Sequence, residues 1–189
     1  MKKKVVSVFI ALAMLFSLAV PAMADVPGQS FTEANGLKFM RTPVFTEPGN
    51  MDVYHYELWV VGLADNNQNA TSIVIPERIY NGEASDGTYV VGIADNAFYM
   101  LPIMDVTIEG HLSFIGKNAF AMCGMLRNIT FEKIGCPEIR DNAFGGSTDL
   151  WPGGTNAYVP HGAIGTASWQ YNPDIYPFYS HVTLVEMPA

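Results

Sequence analysis

Apolar and polar residues follow a repeating order along the middle of the chain. The hexapeptide Ile-x-x-Asn-Ala-Phe occurs at residues 93–98, 115–120 and 139–144, so that successive copies are 22 and 24 residues apart. This spacing predicts stacked structural units, because a unit of this size can bury its apolar face only against its neighbours. The residues expected to form the core of the repeat are Ile93, Asn96, Phe98, Ile115, Asn118, Phe120, Ile139, Asn142 and Phe144.

A second pattern predicts one short strand in each unit. The order apolar-x-x-apolar-x-apolar is found at residues 103–108 and 126–131, and its last residues are 23 positions apart. Alternation over the last three positions is typical of a strand with one buried face. Residues 73–76 and 158–160 fit the same strand position. In each unit we expect a short helical turn at Asn-Ala-Phe, with the asparagine as its N-cap.

The segments on either side of the repeats predict further strands. Residues 36–40 and 56–62 have strand patterns, and turn-forming Asn-Gly and Asp-Gly dipeptides predict a hairpin at residues 79–90, inserted into the first unit. After the repeats, a mixed stretch that ends at Tyr171 predicts one helix, and residues 182–185 predict a last strand.

The combined pattern resembles that of the BspA-type bacterial leucine-rich repeat, apolar-x-x-Ile-x-Ile-Pro followed by Ile-Gly-x-x-Ala-Phe-x-x-Cys. Residues 115–123 match the second part at every marked position. The other two copies depart from it, since Ala94 and Arg140 replace the glycine, and Leu101 and Ser147 replace the cysteine.

This resemblance, which covers roughly residues 71–185, implies an α/β, β-rich fold. It implies a short right-handed leucine-rich-repeat solenoid with an N-terminal β-hairpin cap and a C-terminal cap. Caps are expected because a solenoid must shield the apolar faces of its end coils. The expected division is an N-terminal β cap at 25–70, leucine-rich repeats at 71–160 and a C-terminal cap at 161–189, which form one structural domain over 25–189.

The first 24 residues have the features of a cleaved secretory signal peptide. Lysines occupy residues 2–4, an apolar run covers residues 5–20, and a small-x-small cleavage site at residues 22–24 precedes Asp25. The apolar run is short for a membrane-spanning helix, which is the alternative interpretation. The pattern therefore predicts a bacterial protein that is secreted to the extracellular space or associated with the cell surface.

Charge and cysteine content narrow the range of partners. The full chain has a net charge of −8. Cleavage of the signal peptide would remove three lysines, so that the mature chain would have seven basic and eighteen acidic residues and a net charge of −11 (7 − 18). The mature chain has no cluster of Lys or Arg residues, which disfavours binding to nucleic acid or to an anionic membrane. No membrane insertion is expected either, because no second apolar stretch of spanning length follows the signal peptide. Cys123 and Cys136 are the two cysteines, and whether they pair is left open.

The sequence contains neither the Gly-x-Ser-x-Gly pattern of a serine hydrolase nor a phosphate-binding P-loop. The four histidines, His55, His111, His161 and His181, lack metal-ligand spacing. Residues 65–69 are rich in side-chain oxygens but lack the pattern of a calcium loop, so a polar turn is the better interpretation. We expect no catalytic residue, no metal, no cofactor and no enzymatic activity.

The outward positions of the predicted strands are the candidate binding residues, because leucine-rich solenoids line one broad face with strands. These positions are Ser72, Val74, Asp105, Thr107, Glu109, Asn128, Thr130 and Glu132. They form a polar, acidic strip suited to hydrogen bonding with an extracellular protein or glycan, although a merely solvated face is the alternative. A second candidate is the aromatic tail, for which packing within the C-terminal cap is the simpler interpretation; its residues are Trp169, Tyr171, Tyr176, Phe178 and Tyr179.

The family resemblance implies a bacterial surface protein used in adhesion. The first functional hypothesis is therefore a secreted or surface-associated, non-catalytic binding module that recognises a protein or glycan. The second is a structural or accessory module of the cell envelope or of a larger assembly. Oligomeric state is left open by the sequence.

Overall fold

The fold is described here for residues 30–47, 50–80, 87–147, 154–164, 166, 169 and 182–189 of a computed structural model. The predicted signal peptide and the tip of the predicted hairpin lie outside the described residues. So do most of the segment in which a helix and the aromatic tail are expected. The strands, in chain order, are β1 (Ser30–Ala34), β2 (Leu37–Glu47), β3 (Asn50–Leu63), β4 (Ser72–Ile75), β5 (Arg78–Ile79), β6 (Thr88–Ile93), β7 (Asp105–Ile108), β8 (Phe114–Ile115), β9 (Asn128–Phe131), β10 (Glu138–Ile139), β11 (Thr155–Val159) and β12 (Val182–Glu186).

Five strands form a sheet in which every neighbouring pair is parallel, in the order β4-β7-β9-β11-β12. The strands are in register, so that Ile73 lies opposite Val106, and Val106 opposite Ile129. These three side chains are buried, whereas the residues that alternate with them are exposed or half-buried. This sheet, called the parallel sheet below, confirms the predicted β-rich class with parallel strands.

The second sheet has the order β1-β2-β3-β6-β8-β10, with β5 attached to β6. Pairing from β1 to β3 is antiparallel, and pairing from β3 through β10 is parallel. This sheet is called the hairpin sheet below. The predicted hairpin is present at its base, where Arg78 of β5 lies opposite Tyr89 of β6.

The buried side chains of both sheets form one hydrophobic cluster. The isoleucines of the hexapeptides lie side by side on β6, β8 and β10, and each is at most 7% exposed. The phenylalanines form a stack, in which the ring of Phe120 lies 5.0 Å from that of Phe98 and 5.4 Å from that of Phe144. The planes of neighbouring rings are nearly parallel, with interplanar angles of 16° and 6°. Because each unit presents the same ring at the same place, the stack runs through the core.

The corners that carry Asn-Ala-Phe differ from the predicted helical turns. An N-cap residue has an extended backbone, whereas the three asparagines have left-handed φ values. The angles are 59° for Asn96, 54° for Asn118 and 58° for Asn142. Successive corners also bond to each other, since the amide N–H of Phe98 donates to the carbonyl of Ala119 at 2.8 Å. The N-cap interpretation is therefore wrong: asparagine is used here because it tolerates the left-handed conformation of a tight turn.

The side chains of these asparagines form a ladder between units. Asn118 Nδ2 donates to Asn96 Oδ1 at 3.2 Å, and Asn142 Nδ2 donates to Asn118 Oδ1 at 2.6 Å. The one helix in the described residues is the 3-10 helix Asp65–Asn67. The α part of the predicted α/β class is consequently not found in this part of the chain. In each corner, amides that bond to the next unit alternate with amides that bond within the corner, so that no continuous helical hydrogen bonding forms.

Candidate binding face

The outward side chains of the parallel sheet form rows that run across its strands. Backbone register defines two rows of five residues, in which neighbours are separated by the strand spacing of about 4.8 Å. One row consists of Ser72, Asp105, Asn128, Asn156 and Thr183, and the other of Val74, Thr107, Thr130, Tyr158 and Val185. These two rows, together with Glu109 and Glu132, are called the strand face below. All eight residues singled out from the sequence lie on it.

Glu109 and Glu132 directly follow β7 and β9 and occupy equivalent positions. The amide N–H of Glu109 donates to the carbonyl of Ile75 at 3.0 Å, and that of Glu132 donates to the carbonyl of Ile108 at 2.9 Å. The parallel ladder thus continues one residue past each strand. It sets two carboxylates on neighbouring units at the edge of the strand face.

Hydrogen bonding and exposure differ along the strand face. Asn128 Nδ2 donates to Asp105 Oδ1 at 2.7 Å, which joins two neighbours of the first row. Ser72, Val74 and Glu132 are exposed, and the other five predicted residues are half-buried. The strand face thus presents hydroxyl, amide and carboxylate groups, two of which are joined by this hydrogen bond.

Four residues of the strand face were missed by reasoning from the sequence. Asn156 and Tyr158 are the outward residues of β11, and Thr183 and Val185 are those of β12. Both strands were predicted, at residues 158–160 and 182–185. Extending the outward frame to them would have found the four residues, and Tyr158 adds a half-buried aromatic side chain to the polar rows.

Cys123 is fully buried at its corner. Its thiol donates to the carbonyl of Phe98 at 3.0 Å, and its amide N–H donates to Ser147 Oγ at 2.9 Å. Burial raises the pKa of the Cys123 thiol to about 11, an effect that a hydrogen bond from the backbone of Leu101 only partly offsets. Since the thiolate is the reactive form, this pKa disfavours catalysis.

Ser147 occupies the same position one unit later, and its hydroxyl donates to the carbonyl of Phe120. Cysteine and serine therefore perform the same task, which is to bond a phenylalanine carbonyl of the preceding unit. This explains why serine stands where the repeat pattern has cysteine. Cys136 is half-buried, and burial raises the pKa of its thiol to about 12. Both cysteines are free thiols, which answers the question of pairing.

The histidines considered as metal ligands and the aromatic tail do not add a further site among the described residues. His55, His111 and His161 are exposed, and His181 lies outside the described residues. Among the residues that the structure describes, no group of three or more His, Cys, Asp or Glu side chains is arranged to hold a metal ion. None of the described helical segments has the length and apolar character needed to cross a membrane. Trp169 of the aromatic tail is buried, with its ring 5.1 Å from that of Phe131.

Comparison with known proteins identifies the repeat. Residues 88–151 match the model of the BspA type leucine rich repeat region in six copies, which confirms the predicted resemblance over a shorter range than expected. No curated protein matches the chain.

Three solved structures are similar. A leucine-rich repeat protein from Bacteroides capillosus is 16% identical, with a TM-score of 0.45, over 84% of this chain and 99% of that one. A leucine-rich repeat protein from T. pallidum is 22% identical, with a TM-score of 0.44, over 69% of this chain and 53% of that one. A leucine-rich cell surface protein from Faecalibacterium prausnitzii is 19% identical, with a TM-score of 0.41, over 85% of this chain and 31% of that one.

Proposed function

We propose that this chain, in which residues 88–151 match a BspA type leucine rich repeat region, is a secreted or surface-associated binding module without catalytic activity. Leucine-rich repeat proteins generally bind other proteins, and solenoid repeats use extended surfaces for this purpose. The observation that carries the proposal is the register of the five parallel strands. This register aligns the outward residues of the strand face in rows. The rows support a role in adhesion, in which the strand face would recognise an extracellular protein or glycan.

The repeat units are proposed to stack as a short right-handed solenoid, with caps at both ends. Parallel pairing between strands of successive units supports the stacking. The antiparallel strands β1 to β3, which join the parallel part of the hairpin sheet, support an N-terminal cap at residues 25–70. Burial of Trp169, whose indole N–H donates to the carbonyl of Ile134, supports a C-terminal cap at residues 161–189. The repeats between the two caps are proposed to cover residues 71–160.

Export is part of the proposal, and its support comes from the sequence. Residues 1–24 carry the charge, the apolar run and the small residues of a signal peptide. The acidic chain that follows suits an extracellular protein that does not bind nucleic acid. N-terminal sequencing of the protein secreted by the native cell tests this part, with a mature N-terminus at Asp25 as the expected result.

The binding role is tested with a screen of extracellular-matrix proteins and glycans against the purified protein. A variant with Thr107→Ala, Thr130→Ala and Glu132→Ala removes three outward groups from the strand face. A matched control carries Lys117→Ala, which changes an exposed corner residue instead. We expect a partner that loses about tenfold or more in affinity for the face variant only. Equal affinity of both variants would place recognition elsewhere on the molecule.

A structural or accessory role in the cell envelope is the second candidate, and a separate observation favours it. The corners expose apolar side chains at equivalent positions, with Met100 64% and Met122 52% exposed, and Tyr99 nearby is 45% exposed. Exposed apolar side chains in a row suit assembly with another protein. Co-purification of the protein with an envelope complex, abolished by Met100→Lys and Met122→Lys but not by the strand-face variant, is the expected result for this role.

A further inference from the structure

Two methionines occupy equivalent positions at the corners of neighbouring units. The amide N–H of Met100 donates to the carbonyl of Ala121 at 3.0 Å, and that of Met122 donates to the carbonyl of Gly145 at 2.8 Å. In each case the acceptor directly precedes the equivalent residue of the next unit. Gly146 occupies this position in the third copy. The two methionine side chains therefore leave the backbone one repeat unit apart.

The backbone at these positions suits glycine better than methionine. The φ angle is 61° at Met100, 60° at Met122 and 68° at Gly146. A side chain is strained in this left-handed region, which glycine adopts without penalty. Gly146 also shows that a corner forms without a side chain at this position. Because strained residues cluster at functional and switch regions, the two methionines point to a role for their side chains outside the core.

Both side chains are open to solvent. Met100 is 64% exposed and Met122 is 52% exposed, whereas Met40 of β2 is 8% exposed. Neither corner methionine belongs to the buried hydrophobic cluster. The sulfur of Met122 lies over the third corner, since a Cβ on Gly146 would be 2.5 Å from Met122 Sδ. A small reagent in solution can therefore reach both side chains without any opening of the fold.

The chemistry that an exposed thioether offers is oxidation to a sulfoxide. With hydrogen peroxide, a sulfur lone pair attacks one peroxide oxygen, an S–O bond forms and the O–O bond breaks. Sulfur gives up two electrons, and the second oxygen leaves as water after proton transfer. A methionine sulfoxide reductase reverses the change, as two thiols become a disulfide and the oxygen leaves as water. The sulfoxide is polar, so an apolar side chain becomes a polar one and can be restored.

The two thiols of the protein compete poorly for the same oxidant. Burial raises the pKa of Cys123 to about 11 and that of Cys136 to about 12. Since the thiolate is the reactive form, both cysteines are slow to react near neutral pH. Oxidation is therefore directed to the exposed thioethers.

We propose that Met100 and Met122 form an oxidation-sensitive pair, which peroxide converts to sulfoxides without unfolding the protein. The corners then present two polar groups in place of two apolar side chains. Because neither side chain is part of the core, the folded structure accommodates the change. Oxidation of the pair is independent of recognition by the strand face. Only one consequence, the release of a partner held by the apolar corners, rests on the envelope role proposed above.

The test is timed exposure of the purified protein to hydrogen peroxide, followed by peptide mapping with mass spectrometry. We expect Met100 and Met122 to gain one oxygen atom each, at rates about tenfold or more above that of the buried Met40. Retention on a hydrophobic-interaction column should then fall, while the urea midpoint stays the same. Treatment with methionine sulfoxide reductase and dithiothreitol should restore the retention.

The matched control replaces both side chains with leucine, as Met100→Leu with Met122→Leu, which stays apolar and cannot form a sulfoxide. Its retention should change much less after peroxide. Met125→Leu removes another exposed methionine and should leave the response as in the native protein. The proposal is overturned if Met40 reacts as fast as the pair or if the double leucine variant loses as much retention as the native protein. It is also overturned if oxidation lowers the urea midpoint of the native protein but not that of the double variant.

Discussion

The corners of the repeat and the strand face belong to the same repeat units but use their side chains differently. At both places, hydrogen bonds join equivalent residues of successive units. At the corners, the same side chain recurs and contacts its own copies, as in the stack of Phe98, Phe120 and Phe144. On the strand face, by contrast, the row at Val74, Thr107 and Thr130 is not uniform.

This difference reflects what each side chain contacts. A residue that stacks on its copy in the next unit can change only with loss of packing or hydrogen bonding, because the space between units is fixed by the backbone ladder. An outward residue such as Val74 or Thr107 is packed on one side only, and the outward rows contain different residue types at equivalent positions. We therefore expect the corners to contribute more to stability than the outward residues of the strand face, which agrees with the binding role proposed for that face.

The largest effect is expected in the phenylalanine stack. Phe120→Ala removes the middle ring, which is fully buried between two others, and should lower the free energy of unfolding by about 3–5 kcal/mol. Phe114→Ala is the control, because Phe114 is half-buried and lies outside the main cluster. Urea denaturation measures both, and an equal loss for the two variants would contradict the role assigned to the stack.

The next effect concerns the buried hydroxyl of Ser147. This hydroxyl accepts a hydrogen bond from the Cys123 amide and donates one to the Phe120 carbonyl. Ser147→Ala leaves both buried groups without their partner, which should cost about 1–3 kcal/mol. Ser147→Cys keeps a donor and should lose less. The exposed Ser113→Ala serves as control, and a loss from Ser147→Ala no greater than from this control would show that the bonds do not matter.

The asparagine ladder allows the contribution of the backbone to be separated from that of the side chain, through a smaller difference in stability between two variants of Asn118. Asn118→Ala loses two amide hydrogen bonds and places alanine in the left-handed region, which costs about 1–2 kcal/mol for the backbone. Asn118→Gly loses the same bonds but adopts this conformation without strain. Thermal unfolding should therefore rank the glycine variant above the alanine variant. The reverse order would mean that the left-handed turn does not select the residue.

The smallest effect on stability is expected on the strand face. Thr107→Ala and Thr130→Ala change outward side chains and should each alter the free energy of unfolding by no more than about 0.5 kcal/mol. Urea denaturation is the measurement. A loss comparable with that of the corner variants would show that the two regions do not differ in the way described, because the outward rows would then also stabilise the fold.

Much of the fold was predictable because repetition is visible in one sequence. The spacing of the hexapeptides predicted the units, and alternation at residues 106–108 and 129–131 predicted the buried faces of β7 and β9. The corners were predicted less well. Asparagine before an alanine and a phenylalanine suits both an N-cap and a left-handed turn. The choice depends on the hydrogen bonds that the next unit offers, such as that from the Phe98 amide to the carbonyl of Ala119.

The candidate site was predictable in part for a similar reason. Outward positions follow from alternation, so eight residues of the strand face could be named without a structure. The residues of β11 and β12 were not placed there, because these strands lie beyond the clear hexapeptide copies and their order in the sheet was unknown.

The amino-acid sequence alone therefore established the repeat, its period and the face of each strand that is buried, because these features depend on contacts between equivalent positions. The left-handed asparagines and the shared role of Cys123 and Ser147 became known only from the packed units. Each of these depends on which carbonyl or side chain a neighbouring unit presents, and that is set by register and distance in three dimensions rather than by residue type.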